Sequence, residues 1–326
     1  MRQSDMACVI SFQFPFSISE WSPIMNCRFY AIAFLFIVSF DSAPVIAATK
    51  VFILAGQSNM EGVGVASELP AIYGGVQSDV KIWNNVWSAP DTGTWSSLKP
   101  SAWTNADTGV TYFGPEVTFG YQIANRLLPN DQIYLIKYAA GSTSLYKDWK
   151  PGSGWCYTNL KTAVTSAMKN LTTANLSPSI AGMIWMQGET DAAYGGDYAR
   201  DYAANLTSLI TTARKDFGSP EMPVVLGRIT ESPMWASADI GLVRAAQTTV
   251  PNEVGYASWI NTDDLDAYTS TSPYFGHFTT RGQMDLGVRF ANEIVHVPEP
   301  SSLPLTCVAS LTWLLYLCVH KRFIVP

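Results

Sequence analysis

The chain has 326 residues, 48% of them hydrophobic and 13% aromatic, with a formal charge of −6. This is rich enough for a large buried core, and it lacks the basic balance that a nucleic-acid partner calls for. Of its five cysteines, Cys8, Cys27, Cys307 and Cys318 fall near the two ends, so Cys156 stands alone between residues 48 and 297. That stretch therefore has no intramolecular disulfide, and with so few histidines it offers no usual zinc site.

Residues 1–47 read as a leader. Arg28 precedes an apolar run from Phe29 to Val38, and Val45-Ile46-Ala47 supplies small residues suited to signal-peptidase cleavage, with Met25 as an alternative start. At the other end, residues 298–326 carry Pro298-Glu299-Pro300, an apolar run from Leu303 to Val319, and His320-Lys321-Arg322. An apolar run with a positive flank predicts a membrane segment with a cytoplasmic tail, which leaves everything before Pro298 exported. The layout resembles Pro-Glu-Pro C-terminal sorting signals, which implies a transient anchor handled by processing and sorting machinery. An ordinary permanent anchor is the alternative.

Between the ends, roughly 250 residues make one domain. Apolar periodicity predicts strands over 50–55, 132–139, 180–186, 222–228 and 254–260, and helices over 115–128, 157–171, 197–217, 239–248 and 279–295. Thr279 or Thr280 is the expected cap of the last helix. Residues 73–112, rich in Trp, Gly, Thr and Asp, read as a long excursion. Strands separated by helices of this length predict an α/β fold: a three-layer α/β/α sandwich around a central parallel sheet. Ligands in such sheets bind outside the carboxyl ends of the strands. Ser58 follows the first predicted strand, Gly141 the second, Gln187 and Glu189 the third, and His277 the last.

Gly56-Gln57-Ser58-Asn59-Met60 takes a buried strand into a tight turn that presents one serine. The amides of a helix's first turn lack intrahelical partners, so the Ser58 amide is suited to an oxyanion. A helix N-cap is the other reading of the same serine. His320 lies in the basic tail and His296 ends the last helix beside Pro298, which leaves His277 as the candidate base. In Trp185-Met186-Gln187-Gly188-Glu189-Thr190-Asp191, an amide suited to an oxyanion and a carboxylate suited to orienting an imidazole follow an apolar strand. Helix capping is the alternative there.

These segments, with His277-Phe278-Thr279, Gly282-Gln283, Phe113-Gly114-Pro115-Glu116 and Ala140-Gly141-Ser142, resemble the SGNH-hydrolase superfamily. More narrowly, they are similar to its sialate O-acetylesterase and family 6 carbohydrate esterase branch. The resemblance implies a cofactor-free serine esterase that deacetylates carbohydrates such as acetylated xylan or envelope glycans. It makes Ser58 the nucleophile and His277 the base, with an oxyanion hole from the amides of Ser58 and Gly141 and the side chain of Gln187. The position three before the histidine, often Asp in the superfamily, is Tyr274. Glu189 is then the expected acid partner. Asp191, Asp263, Asp264 and Asp266 are the other carboxylates, and a bare Ser-His dyad the remaining option. Trp103, Trp149, Trp155, Trp235 and Trp259 are candidate sugar platforms, most of them expected in the core. The rival readings are a lipase- or thioesterase-like hydrolase and an inactive glycan-binding protein.

Overall fold

The computed structural model describes residues 49–87, 93–126 and 131–297, so the expected leader and C-terminal tail lie outside the described residues. Among these residues the strands are β1 (Thr49–Gly56), β2 (Gly64–Val65), β3 (Gln77–Val86), β4 (Ser96–Leu98), β5 (Trp103–Thr104), β6 (Thr111–Phe113), β7 (Gln132–Ala139), β8 (Pro178–Met186), β9 (Val224–Gly227) and β10 (Ala257–Ile260). The helices are α1 (Ser58–Glu61), α2 (Ala71–Gly74), α3 (Glu116–Ala124), α4 (Trp155–Thr173), α5 (Glu189–Tyr194), α6 (Gly196–Arg200), α7 (Tyr202–Asp216), α8 (Ile240–Val254) and α9 (Thr280–Ile294). None of them is long and apolar enough to cross a membrane.

A seven-stranded sheet runs β10-β9-β8-β1-β7-β3-β4, parallel throughout except for the β3–β4 pair. β1 lies between β7 and β8, and Gly56 at its end stands level with Ala139 and Met186. The turns that follow these three strands therefore open at one rim. Residues 51–55 are buried without interruption, as befits a strand covered on both faces by helices. Helices α3 and α9 pack together, as do α7 and α8, which completes the α/β/α layers expected from the sequence. Cys156 is buried and unpaired, and burial pushes its thiol well above the usual range.

The structure differs from the sequence reading in three places. The excursion over 73–112 contains β3 and β4, which extend the sheet, while β5 and β6 join β2 in a small antiparallel sheet. β3 buries Val80, Ile82, Trp83 and Val86 among polar Asp79, Lys81, Asn84 and Asn85, so no apolar run marks it. The single helix expected over 197–217 breaks at Asp201 into α6 and α7. α8 continues past the expected stop to Val254, burying Val250 and Pro251, so the strand expected from Val254 begins at Ala257.

Candidate active site

The serine turn is set by close packing at the end of β1. Gly56 has φ +152°, and a Cβ there would lie 2.0 Å from the Met186 carbonyl oxygen. With no side chain in the way, the Gln57 amide donates to that oxygen at 2.9 Å. Ser58 is the only residue of 51–60 that is not buried, so the turn presents one hydroxyl to the rim. Beneath it, Lys137 of β7 is wholly buried; its Nζ donates to the Glu61 carbonyl at 2.9 Å and pairs with Glu116 Oε2 at 2.6 Å. Glu116 Oε1 accepts from the Gly114 amide at 3.0 Å. A lone lysine in the apolar strand Gln132–Ala139 was the sequence signal for this pair.

The histidine comes from the loop before α9. Gly276 has φ +81°, and a Cβ there would meet Ser232 and Trp235 at under 3 Å. The Tyr268 amide donates to the His277 carbonyl at 2.8 Å and the Thr279 amide to the Asp266 carbonyl at 3.0 Å. Thr279 caps α9 as expected, its Oγ1 accepting from the Gly282 amide.

Ser58 and His277, 219 residues apart in sequence, meet with Oγ and Nε2 at 2.8 Å. His277 Nδ1 lies 3.1 Å from the Tyr274 carbonyl oxygen. A carbonyl only accepts, so Nδ1 carries the proton and Nε2 is left to accept from the serine hydroxyl. The imidazole is half-buried, with the Trp235 ring edge-on at 6.0 Å. Burial lowers its pKa below 6.5, against smaller upward pulls from the backbone hydrogen bonds and the Glu61 charge.

Two expected roles are not what the structure places there. Glu189 does not bond to the imidazole: its Oε1 accepts from Asn59 Nδ2 at 2.7 Å, and the Nδ1 position is taken by the Tyr274 carbonyl. Gln187 is no free oxyanion donor. It is fully buried, and its Nε2 donates to Asp191 Oδ2 at 2.6 Å and to the Thr143 carbonyl at 3.0 Å. A buried carboxylate one helical turn on demands that amide. Asp191 also accepts from the Leu145 and Tyr146 amides, at 2.8 and 3.0 Å, and so pins the loop that follows Gly141. The other carboxylates are engaged elsewhere: Asp263 with Arg228 and Arg244, Asp264 with Arg289, and Asp266 with Thr279. Gly141 does border the serine; a Cβ on it would lie 3.6 Å from Ser58 Cβ.

A cleft of about 220 Å³ contains Ser58 and His277 and is walled by Ser142, Glu189, Tyr194, Met234 and Trp235. No lysine or arginine lines it among the described residues. Of the candidate sugar platforms only Trp235 belongs to this cleft. Trp149 is core, Trp103 stacks on Tyr112, Trp259 lies under Arg228, and Trp155 pairs with exposed Trp87.

A serine–imidazole pair thus stands at the carboxyl rim of the parallel sheet of an α/β/α fold. The sequence model of the family described as carbohydrate esterase, sialic acid-specific acetylesterase matches residues 48–296. The chain belongs to that family and is a carbohydrate O-acetylesterase. A probable carbohydrate esterase from Arabidopsis thaliana is 26% identical over 255 residues, spanning 74% of this chain and 88% of the relative. Solved structures share the fold. An Arabidopsis thaliana protein superposes with a TM-score of 0.62 at 23% identity, covering 77% of this chain and all of the other. The protein NanS gives 0.56 at 16% identity, covering 76% and 97%. A carbohydrate acetylesterase from Xanthomonas citri gives 0.54 at 17%, covering 76% and 56%.

Proposed function

We propose that Ser58 and His277 act as a catalytic dyad that removes acetyl groups from an uncharged sugar. The observation that carries this reading is the 2.8 Å contact between Ser58 Oγ and His277 Nε2 inside the cleft. Ser58 Oγ attacks the ester carbonyl carbon while Nε2 takes its proton. The tetrahedral intermediate collapses, the C–O bond to the sugar breaks, and the leaving oxygen takes the proton back from His277. Water, deprotonated in turn by Nε2, then attacks the acetyl-serine; the Oγ–acyl bond breaks, Ser58 Oγ takes the proton from Nε2, and acetate leaves. The Tyr274 carbonyl holds Nδ1–H throughout and fixes the tautomer. The amide of Ser58 and that of Gly141, which borders the serine from the loop after β7, are the proposed oxyanion donors.

Two features favour a neutral sugar over a sialic acid. Among the described residues the cleft lining carries no cation for a sialate carboxylate. A neighbouring cavity of about 470 Å³ borders the same loop at Phe275 and Gly276 and holds Arg244. That guanidinium is already paired with Asp263 and Glu231. The small cleft suits an acetyl group better than the long acyl chain of a lipase substrate. The sequence further supports an exported protein whose 298–326 tail engages the membrane and a sorting system; cell fractionation of the full chain checks this.

The direct test is acetate release by Ser58→Ala. Loss of a nucleophile costs about three or more orders of magnitude in rate. Near-normal turnover with an unchanged melting curve overturns the assignment. A higher kcat/KM on O-acetyl sialic acid than on acetylated xylo-oligosaccharide overturns the neutral-sugar reading alone.

A further inference from the structure

Asn59 joins the two halves of the dyad at a single buried amide. It follows Ser58 directly and is wholly buried. Its Oδ1 accepts from the Phe278 amide at 3.1 Å, and Phe278 follows His277 directly. The hydrogen bond thus crosses from the serine turn to the histidine loop one residue away from each reacting side chain. The backbone bonds of the 266–279 loop named above are internal to it, so they hold its shape but do not aim it at Ser58. The Phe278 amide can only donate, which turns Oδ1 toward it and leaves Nδ2 to face Glu189. There Glu189 Oε1 accepts at 2.7 Å. Glu189 Oε2 is buried without a hydrogen-bond partner, so Asn59 is the side chain this carboxyl serves.

We infer that Glu189 and Asn59 form a positioning brace: Glu189 orients the Asn59 amide, and Asn59 locks the main chain beside His277 onto the turn carrying Ser58. The inference rests on the dyad reading above. Neither residue exchanges a proton with substrate; both act through the separation of Oγ and Nε2. Errors of about 1 Å in such a separation cost about a hundredfold in rate. A glutamine at 189 keeps an acceptor oxygen for Asn59 Nδ2, whereas a charge-based role for Glu189 would not survive that change.

The test uses the full chain and a small acetyl ester as probe. Asn59→Leu removes both bonds at similar volume and should lower kcat about a hundredfold with KM changed by less than about threefold. Glu189→Leu should fall comparably, Glu189→Gln should keep at least about tenfold more kcat than Glu189→Leu, and the double variant Asn59→Leu/Glu189→Leu should be no worse than either single one. If Glu189→Gln is as damaging as Glu189→Leu, the charge itself is used and the brace is wrong. A folded Asn59→Leu protein with parental kcat also overturns it. If Asn59→Leu does not fold, the two Glu189 variants decide. Ser58→Ala run alongside separates the two failures: an active Ser58→Ala removes the dyad, while an inactive one beside parental Asn59 and Glu189 variants removes only the brace.

Discussion

Replacing Glu189 by glutamine should change how the protein's stability depends on pH. Burial raises the Glu189 carboxyl from an ordinary 4.5 to about 7, against opposing hydrogen bonds from Asn59 and its own backbone and with help from the Asp191 charge. The native state therefore holds a proton that the unfolded chain releases between pH 4.5 and about 7, and stability falls as pH rises through that window. At about 1.4 kcal/mol per pH decade, the gap amounts to about 3 kcal/mol, present as a loss at pH 8 and absent at pH 4. Glutamine keeps the acceptor for Asn59 and never ionises, so the loss disappears. For a domain of this size the gain is roughly 6–12 °C in Tm at pH 8 and close to none at pH 4. Asp191, raised by burial to about 6, adds a slope of the same sign. It is present in both proteins, so its own slope largely cancels and the difference between them reports Glu189 together with its charge coupling to Asp191. Thermal or urea unfolding of parent and Glu189→Gln at both pH values is the assay. An equal stability difference at pH 4 and pH 8 refutes the burial of an ionisable carboxyl here.

The acidic limb of kcat/KM for a small ester should lie below 6.5, since burial lowers the His277 pKa and activity requires its neutral form. Activity is lost as pH falls through that pKa, and a limb above 7 in a pH–rate profile contradicts the carbonyl-paired imidazole. Tyr274→Asp, which restores the acidic residue usual three before the base, should not raise kcat. The Tyr274 side chain points to Tyr112, with the two hydroxyls 3.0 Å apart, so a carboxylate on the same Cβ is aimed away from Nδ1. A kcat increase with the limb moved upward shows that it reached the ring.

Much of the frame was legible because it depends on patterns that local physics enforces. The strand Gln132–Ala139 is a bounded apolar run, and its ends coincide with those expected. That Thr279 or Thr280 caps α9 followed from residue type, and Thr279 is the one that does. The pairing of Ser58 with His277 came from where a strand ends and from eliminating two other histidines. The rest was hidden for physical reasons. A backbone carbonyl carries no residue identity, so the Tyr274 acceptor cannot be read from side-chain chemistry. Glu189 and Gln187 do lie at the rim, but rim position does not say which partner a polar group takes. Asn59 and Asp191, each buried and in need of a complement, claim them first. β3 was missed because its polar residues broke the apolar pattern that marked the other strands.

A carboxylate beside a catalytic imidazole has two tasks: it fixes the tautomer and it stabilises the imidazolium as it forms. The Tyr274 carbonyl, at 3.1 Å from Nδ1, performs the first as well as a carboxylate would. It performs the second only as a dipole. Burial against Trp235 keeps the base neutral, so the fraction of active enzyme at neutral pH does not suffer. The burden shifts to the proton transfer itself. A dipole's attraction falls more steeply with distance than a charge's, so a dyad of this kind tolerates less displacement of the ring than a triad does. That is the condition under which a buried amide bonded one residue from each reacting side chain, and a carboxyl held at energetic cost to orient it, serve catalysis more than stability.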